Sequence, residues 1–304
     1  MSSNVETVAA TASTHWRYLV VAVMLLLLAA LGLWKLNTRA TLVTVDAELP
    51  HNFPAEGFDH DSFEQLLSRF VVDGRVDYPG WHGDAAARKR LDSYLAALAA
   101  YSPDSHPERF RKHNAALAYW MYAYNAFVIK AIVDRWPLAR VTDVKAPVEV
   151  VRGLGFFYTL AFVVGGEPIT LYDLEHNKII KRTSDPRVHF VLNCGSGGCP
   201  AIRPKLPTGE ALETLLQQAA ADFVNEPRNV VVDHEHREIR LSQIFEWYED
   251  EFVNDVRRRR LPTTQGPVAW VRLVAGKRLL AELNKAADYE VRYVPYDWEV
   301  NNAH

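Results

Sequence analysis

Hydrophobic positions recur at helical spacing in the first half of the chain. In 88–100, apolar residues repeat every three to four positions and give the segment one apolar face. The longer segment 107–136 is apolar on nearly every face in its middle and meets Pro137 at its end. A helix that is apolar all round is typical of a buried position, and proline ends helices. The pattern therefore predicts an outer helix followed by a buried central helix.

The second half mixes strand and helix patterns. Apolar runs predict strands at 148–155, 156–166 and 187–193. The last of these carries apolar side chains on both faces, which is typical of an interior strand. Thr170 and Asp173 match a capping box, so a helix is expected to start at Thr170. Further patterns predict a helix at 211–225, a hairpin at 230–242, and helices at 244–253 and 266–287. The mixture indicates an α+β fold.

The N-terminal region predicts a membrane anchor. Residues 18–34 are uncharged and overwhelmingly apolar, and Lys35 and Arg39 follow them. This length is at the short end of a membrane span. A cleaved signal peptide is the alternative, but its weak candidate cleavage site at Ala40 follows two basic residues. We expect an uncleaved anchor, with the short tail 1–17 inside and the large C-terminal domain exported.

This anchor divides the chain into an N-terminal tail at 1–17, a transmembrane anchor at 18–34, a linker at 35–57 and a globular domain at 58–304. Membrane lipid is therefore an expected partner of the anchor. The formal net charge is −3 and 23 % of the 304 residues are charged, which is ordinary globular composition. Such a balance gives no electrostatic reason to expect nucleic acid as a partner.

The two cysteines of the chain, Cys194 and Cys199, lie in one glycine-rich loop. In an exported domain the first interpretation is a disulfide, although closing so short a loop removes little chain entropy. The other interpretation is a thiol nucleophile. Cys199 is the preferred candidate because Pro200 predicts a helical turn that would lower the thiol pKa. Cys194 is less suited, because it lies about 16 Å along an extended strand from His189.

A thiol nucleophile needs a base and an orienting partner for that base. His189 is the candidate base, His176 is a second imidazole, and Glu175 is the carboxylate on the apolar face of its predicted helix. The N–H groups of the loop between the cysteines could stabilise an oxyanion. Those loop residues are Gly195, Ser196, Gly197 and Gly198.

The same residues could also bind zinc or carry out redox chemistry. Two histidines, two cysteines and a glutamate suit zinc chemically, but CGSGGC has more spacer residues than most zinc knuckles, and His176 and His189 lie on different elements. We therefore expect neither a metal nor a cofactor. A redox role for the cysteine pair is a weaker interpretation, because the usual spacing of such pairs is C-x-x-C.

Five segments in order resemble the DUF547 family, a domain of unknown function found in bacteria and plants. The segments are LLSRFVVDGRVDYPGW (66–81), YWMYAYNAFVIKAI (119–132), LYDLEHNKII (171–180), DPRVHFVLNCGSGGCP (185–200) and YVPYDWEVN (293–301). The resemblance implies a fold somewhat like papain or transglutaminase, with a Cys–His–Glu centre. It carries functional importance over to Asn125, Glu175, His176, His189, Cys194, Cys199, Asp297, Trp298 and Asn301. Tyr122 departs from the family pattern, since an asparagine usually stands there.

The sequence leads to two functional hypotheses. The first is a membrane-anchored, thiol-dependent hydrolase or acyl transferase. Its partner would be an amide, ester or protein substrate, bound by Asn125 and the glycine loop. The alternative is a non-catalytic binding or scaffold domain in which Cys194 and Cys199 form a disulfide. In a bacterial member of the family, the anchor would place the chain in the inner membrane as a single-pass protein with a periplasmic C-terminal domain.

Overall fold

The computed structural model describes residues 20–25, 28, 30, 32, 40–149 and 151–304. Its α-helices after residue 40 are α1 (Asp61–Phe70), α2 (Tyr78–Gly83), α3 (Ala85–Ala100), α4 (Ala115–Asp134), α5 (Leu171–Asp173, continued by the π-helical Leu174–Ile180 and by Lys181–Thr183), α6 (Glu210–Asn225), α7 (Ile244–Trp247), α8 (Glu249–Arg258), α9 (Pro267–Val274) and α10 (Lys277–Lys285). Short 3₁₀ segments lie at Pro107–Phe110, Val141–Asp143 and Pro186–Phe190, and a π-helical segment lies at Leu154–Thr159.

The strands form three small sheets rather than one large sheet. They are β1 (Thr41–Leu42), β2 (Val71–Val72), β3 (Arg75–Val76), β4 (Leu160–Val164), β5 (Glu167–Thr170), β6 (Val230–Asp233), β7 (Glu238–Ser242) and β8 (Glu290–Val294). The sheet orders are β1-β4-β5, β2-β3 and β6-β7-β8. In the two larger sheets one strand pair is antiparallel and the other is parallel, so the fold is α+β with mixed sheets.

Helix α4 is the centre of the hydrophobic core. From Ala118 to Val133 every residue of the helix is buried. In the described part of the chain, α4 is the helix long and apolar enough to span a membrane, and 89 % of its apolar window is buried inside the protein. Helices α2, α3 and α5 pack against it. The central helix predicted from the sequence is therefore confirmed as a core helix.

The N-terminal anchor remains a prediction. Residues 20–25, 28, 30 and 32 are helical, and the other positions of the predicted anchor at 18–34 lie outside the described residues, as does the tail 1–17. The predicted linker 35–57 needs a correction. Thr41 and Leu42 pair with β4, and Val43 is buried, so the globular part already begins inside that linker.

The predicted interior strand at 187–193 is wrong. The segment forms the 3₁₀ turn Pro186–Phe190, because Pro186 occupies its first position and the Asp185 carboxylate accepts a hydrogen bond from the N–H of Arg187. The apolar residues at both faces are buried, as an interior strand would require. Burial on both faces therefore did not distinguish a strand from a short helical turn.

Other boundaries differ for local reasons. The predicted strand at 148–155 is absent from its described residues, and a Cβ on Gly155 would lie 2.3 Å from the Val144 carbonyl oxygen. The predicted helix 107–136 begins as α4 only at Ala115, because Asn114 adopts a φ of 59°. The helix predicted at 266–287 is divided into α9 and α10 at Ala275–Gly276.

Three patterns were read correctly. The Thr170 hydroxyl accepts a hydrogen bond from the Asp173 N–H at 3.1 Å, so the capping box starts α5 as predicted. The helix predicted at 211–225 is α6, and the predicted hairpin is formed by β6 and β7. Each of these signals is local in sequence, and each is confirmed by local contacts.

Candidate active site

A cavity of about 520 Å³ brings most of the predicted chemical residues together. Glu175, His176, His189, Cys194 and Cys199 all line it. The wall is mainly aromatic and is contributed by Tyr124, Phe157, Tyr158, Tyr172, Trp247, Tyr248, Tyr296 and Trp298. Helices α4, α5 and α7, the turn before the cysteines and the C-terminal segment therefore meet at one site.

The two cysteines are joined as a disulfide. Cys199 is 4 % exposed, whereas Cys194 is more accessible. The Cys199 sulfur accepts a hydrogen bond from the Cys194 N–H at 3.0 Å, and the Tyr296 hydroxyl lies 3.1 Å from each sulfur. In the described part of the chain no hydrogen bond joins either sulfur to an imidazole. Neither cysteine is a free thiol in this state, although both face the cavity.

The predicted helical turn after Cys199 is wrong, because residues 200–208 contain no helix. The thiol of Cys199 therefore has no helix start beside it. The groups that contact its sulfur are a single backbone N–H and a phenol.

Three of the four loop amides expected to stabilise an oxyanion make hydrogen bonds inside the protein. Gly197 N–H donates to the Glu299 carbonyl at 2.7 Å, and Gly198 N–H donates to the Asp297 carbonyl at 2.9 Å. Gly195 N–H donates to a side chain, and Ser196 is fully buried. The amides of Gly195, Gly197 and Gly198 are therefore occupied inside the protein, and none of these three is left to donate to a substrate oxygen.

The glycines instead allow the C-terminal segment to approach the loop. A Cβ on Gly197 would lie 2.1 Å from an oxygen of Asp297, and one on Gly198 would lie 2.6 Å from the Tyr296 ring. Gly195 adopts a φ of 82°, which favours glycine. This close approach is what places the Tyr296 hydroxyl on the sulfurs.

The Asn125 side chain bonds to the backbone before the cysteine loop. It is 2 % exposed, its Nδ2 donates to the Val191 carbonyl at 3.0 Å, and its Oδ1 accepts from the Asn193 N–H at 2.9 Å. Asn193 in turn accepts hydrogen bonds from Asn301 Nδ2 and from the Gly195 N–H. This buried amide network satisfies the backbone before the loop without a sheet partner. Asn125 therefore holds the cysteine loop and does not line the cavity.

His189 is paired with a carboxylate that the sequence did not single out. Its Nε2 lies 2.9 Å from Oε2 of Glu251, in the first turn of α8, and its ring stacks on Tyr248 with centroids 3.8 Å apart. A carboxylate accepts hydrogen bonds, so Nε2 carries the proton and Nδ1 is the acceptor in the neutral ring. Glu251, rather than the predicted Glu175, is therefore the carboxylate that orients His189.

His176 lies on the π-helical part of α5. Its Nδ1 is 3.0 Å from the Tyr172 carbonyl oxygen, and its ring stacks on Tyr172 at 3.9 Å. A carbonyl oxygen only accepts, so Nδ1 is the protonated nitrogen and Nε2 is free to accept a proton. His176 is thus a second imidazole at the cavity with an available basic nitrogen.

Glu175 accepts a hydrogen bond from the Tyr248 hydroxyl at 2.5 Å, and Tyr124 lies within hydrogen-bond reach of the same carboxylate. Burial, followed by the charge of Glu175, raises the pKa of Tyr124, Tyr248 and Tyr296 above the ordinary value of a phenol. These three phenols therefore remain hydrogen-bond donors at neutral pH.

Sequence reasoning missed Glu251, Tyr248 and Tyr296. Glu251 follows two other acidic residues, and nothing in that local pattern distinguishes it from its neighbours. Tyr296 lies directly before Asp297 in the segment 293–301, and the resemblance of that segment to the family could have pointed to it. Within the described ranges no group of three or more His, Cys, Asp and Glu side chains is arranged to hold a metal ion.

One family model matches part of the chain. Residues 107–224 match a family model described as "Protein of unknown function, DUF547". The match includes the segments 119–132, 171–180 and 185–200. The segments 66–81 and 293–301 lie outside it. No curated protein and no solved structure matches the chain. The chain thus contains a DUF547 domain match over 107–224, and a papain-like Cys–His–Glu centre remains a prediction.

Proposed function

We propose that this protein is a thiol-dependent hydrolase or acyl transferase that acts on an amide or ester after its disulfide is reduced. The observation that carries the proposal is the shared cavity. Cys194, Cys199 and the His189–Glu251 pair line or adjoin one opening of substrate size. A nucleophile, a base and an orienting carboxylate are the parts that such a reaction needs.

Reduction is the first step in this scheme. A dithiol donor supplies two electrons and two protons, so the protein disulfide becomes two thiols and the donor becomes a disulfide. Cys199 is the proposed nucleophile, because its sulfur already receives the Cys194 N–H and contacts the Tyr296 hydroxyl. Both donors stabilise a thiolate.

Acyl transfer then follows from the geometry. The Cys199 thiolate forms a bond to the carbonyl carbon, and His189 passes the thiol proton to the leaving amine or alcohol as the C–N or C–O bond breaks. Water or a second amine or alcohol releases the acyl group and restores the thiol. Tyr296 is the proposed donor to the developing oxyanion, since the amides of Gly195, Gly197 and Gly198 are occupied.

The test is acylation of the full chain in a maltoside detergent, with p-nitrophenyl acetate as the probe. With reductant, we expect a burst of about one acetyl group per chain on Cys199. Cys199→Ser should abolish the burst, whereas Cys194→Ser should retain it and remove the need for reductant. A reduced protein that shows no burst, or one that is acylated equally in both variants, would overturn the proposal.

The bonded state of the sulfurs favours a second candidate, a non-catalytic binding domain with a Cys194–Cys199 disulfide. In that case the cavity would bind a ligand, and reduction would not produce acylation. The same burst experiment distinguishes the two candidates, because the binding domain stays unacylated with and without reductant.

We also propose that residues 18–34 anchor the domain in a bacterial inner membrane, with the C-terminal domain in the periplasm. The apolar run supports the anchor, and a disulfide is typical of an oxidising compartment. Protease digestion of spheroplasts tests the orientation. Digestion of the domain from the outside is expected, and full protection would contradict it.

A further inference from the structure

Glu175 is a carboxylate whose contacts are neutral. Tyr248 donates to it at 2.5 Å, and Tyr124 lies within hydrogen-bond reach. In the described ranges no ion pair joins Glu175 to a lysine, an arginine or a histidine. A carboxylate has room for about four acceptor contacts. Two phenols therefore leave part of its hydrogen-bonding capacity and its charge without a partner.

Aromatic rings surround this charge. Tyr158 stacks on Tyr172 at 4.4 Å, and Tyr172 stacks on His176 at 3.9 Å. Tyr248 stands on the other side, stacked on His189. All five rings line the cavity. Ring faces attract cations, and the attraction is stronger where water is excluded.

The basic groups of the cavity make other contacts. The Arg152 guanidinium is 5.9 Å from the ring centroid of Trp298, and Arg152 is exposed. The Nε2 of His189 faces Glu251 and the Nδ1 of His176 faces the Tyr172 carbonyl oxygen, so neither nitrogen pairs with Glu175. The region around Glu175 is therefore acidic and rich in acceptors.

We propose that the cavity binds the ammonium group of an amine-bearing substrate, beside Glu175 and against the ring of Tyr248. The inference depends on the proposed function for identifying this cavity as the substrate site. A primary ammonium group fits better than a quaternary one, since it donates charge-assisted hydrogen bonds to the carboxylate. The substrate class is then an amide or ester whose acyl or leaving portion carries an amine.

The test compares benzylammonium with benzyl alcohol, a neutral probe of nearly the same shape. Calorimetric titration of the oxidised full chain in a maltoside detergent measures both affinities. We expect benzylammonium to bind at least about tenfold more tightly, which is the effect of about 1.4 kcal/mol. Glu175→Gln should reduce this preference to about twofold or less.

Glu64→Gln is the matched control variant. Glu64 also accepts a hydrogen bond from a buried tyrosine, Tyr122, but it lies outside the cavity and pairs with Lys205 at 3.2 Å. This variant should retain the full preference for benzylammonium. Equal binding of the two probes, or equal losses in the two variants, would overturn the proposal. Tighter binding of methyl glucoside than of benzylammonium would also overturn it and indicate a sugar site.

Binding to the oxidised chain separates this inference from the proposed function. Cation selectivity without any acylation burst would support the ammonium site and reject the thiol enzyme. A burst without cation selectivity would do the reverse.

Discussion

Two clusters in the molecule are built from the same three side-chain types. The first, which we call the Glu64 cluster, contains His60, Tyr122 and Glu64. The His60 ring stacks on Tyr122 at 4.1 Å, and the Tyr122 hydroxyl donates to Glu64. Lys205 pairs with Glu64, and the imidazole Nδ1 of His60 lies 2.7 Å from the Tyr94 hydroxyl. Every charged or basic atom named here has a partner inside the protein.

The second, the Glu175 cluster, contains His189, Tyr248 and Glu175. The His189 ring stacks on Tyr248 at 3.8 Å, and the Tyr248 hydroxyl donates to Glu175. Here the imidazole is held by Glu251, and no lysine or arginine pairs with Glu175 among the described residues. The cluster faces the cavity that contains the disulfide.

The difference lies in what completes each cluster. A lysine and a phenol complete the Glu64 cluster, so we interpret it as a structural network. The Glu175 cluster lacks a cation and keeps an acceptor nitrogen on His189, which is the pattern expected where a substrate supplies the missing partners. The same stacking of histidine on tyrosine can therefore belong to a structural network or to a binding site. The difference is whether a cation of the protein pairs with the carboxylate.

The largest expected effect separates the two histidines. His189→Ala should slow acylation of the reduced chain by p-nitrophenyl acetate by about 10²–10⁴-fold, because it removes the general base. His60→Gln should leave the rate within about twofold, since His60 is outside the cavity. Stopped-flow measurement of p-nitrophenol release gives both rates. Comparable losses in the two variants would remove the distinction between the clusters.

Tyr296→Phe should have the next largest effect. It removes the hydroxyl beside both sulfurs, and the loss of one oxyanion donor typically lowers kcat by about 10²-fold. Tyr293→Phe is the matched control, since Tyr293 lies on β8 and its hydroxyl contacts Glu249. Steady-state kinetics should show the loss in kcat rather than in KM. A Tyr296→Phe protein with unchanged kcat would exclude the phenol as the oxyanion donor.

The acid sensitivity of stability should come partly from His60. Burial lowers the pKa of His60 to about 3, well below its unfolded value of about 6.5. The unfolded chain therefore binds more protons in this window, so the contribution of His60 to stability is full above about pH 6.5 and is lost as the pH falls towards about 3. Urea unfolding at several pH values between about 3 and about 6.5 measures this effect. On unfolding in this range, wild type should take up about one proton more than His60→Gln does.

The same substitution at the exposed His113 controls for the simple loss of an imidazole. Its pH dependence should match that of wild type. Identical slopes for wild type and His60→Gln would show that His60 is not buried as a neutral ring.

The smallest expected effect concerns stability at neutral pH. Glu64→Gln should lower the free energy of unfolding by about 1 kcal/mol, because it weakens a charge-assisted hydrogen bond and removes the exposed pair with Lys205. Glu175→Gln should lower that free energy by less than Glu64→Gln, because the cost of weakening the hydrogen bonds from Tyr248 and Tyr124 is offset by the removal of a charge without a cationic partner. Urea titrations measure both, and a larger loss in Glu175→Gln would identify Glu175 as a structural residue.

Local signals in the sequence predicted much of the fold. The capping box at Thr170 and the all-round apolar segment before Pro137 identified α5 and α4. The strand expected at 187–193 is replaced by a turn that Pro186 and Asp185 start, and the backbone after that turn bonds to the Asn125 side chain, which lies more than sixty positions earlier. Such a long-range partner leaves no periodic trace in the sequence of the segment itself.

The site was predictable as a set of residues but not as a set of contacts. Glu175, His176, His189 and the two cysteines meet at one cavity. The pairing of His189 with Glu251 joins positions 62 apart, and the contacts of Tyr296 with the sulfurs join positions about a hundred apart. These pairings depend on how α8 and the C-terminal segment pack, which the local pattern does not specify.

The most direct measurement is iodoacetamide labelling of the full chain between about pH 4 and about pH 9, with and without reductant, followed by peptide mass spectrometry. We predict no labelling without reductant. With reductant, we predict rapid labelling of Cys199 well below the ordinary thiol pKa of about 8.5, slowed by His189→Ala. Labelling of the reduced cysteines only above that pKa, with no effect of His189→Ala, would contradict an activated thiol and favour the binding domain.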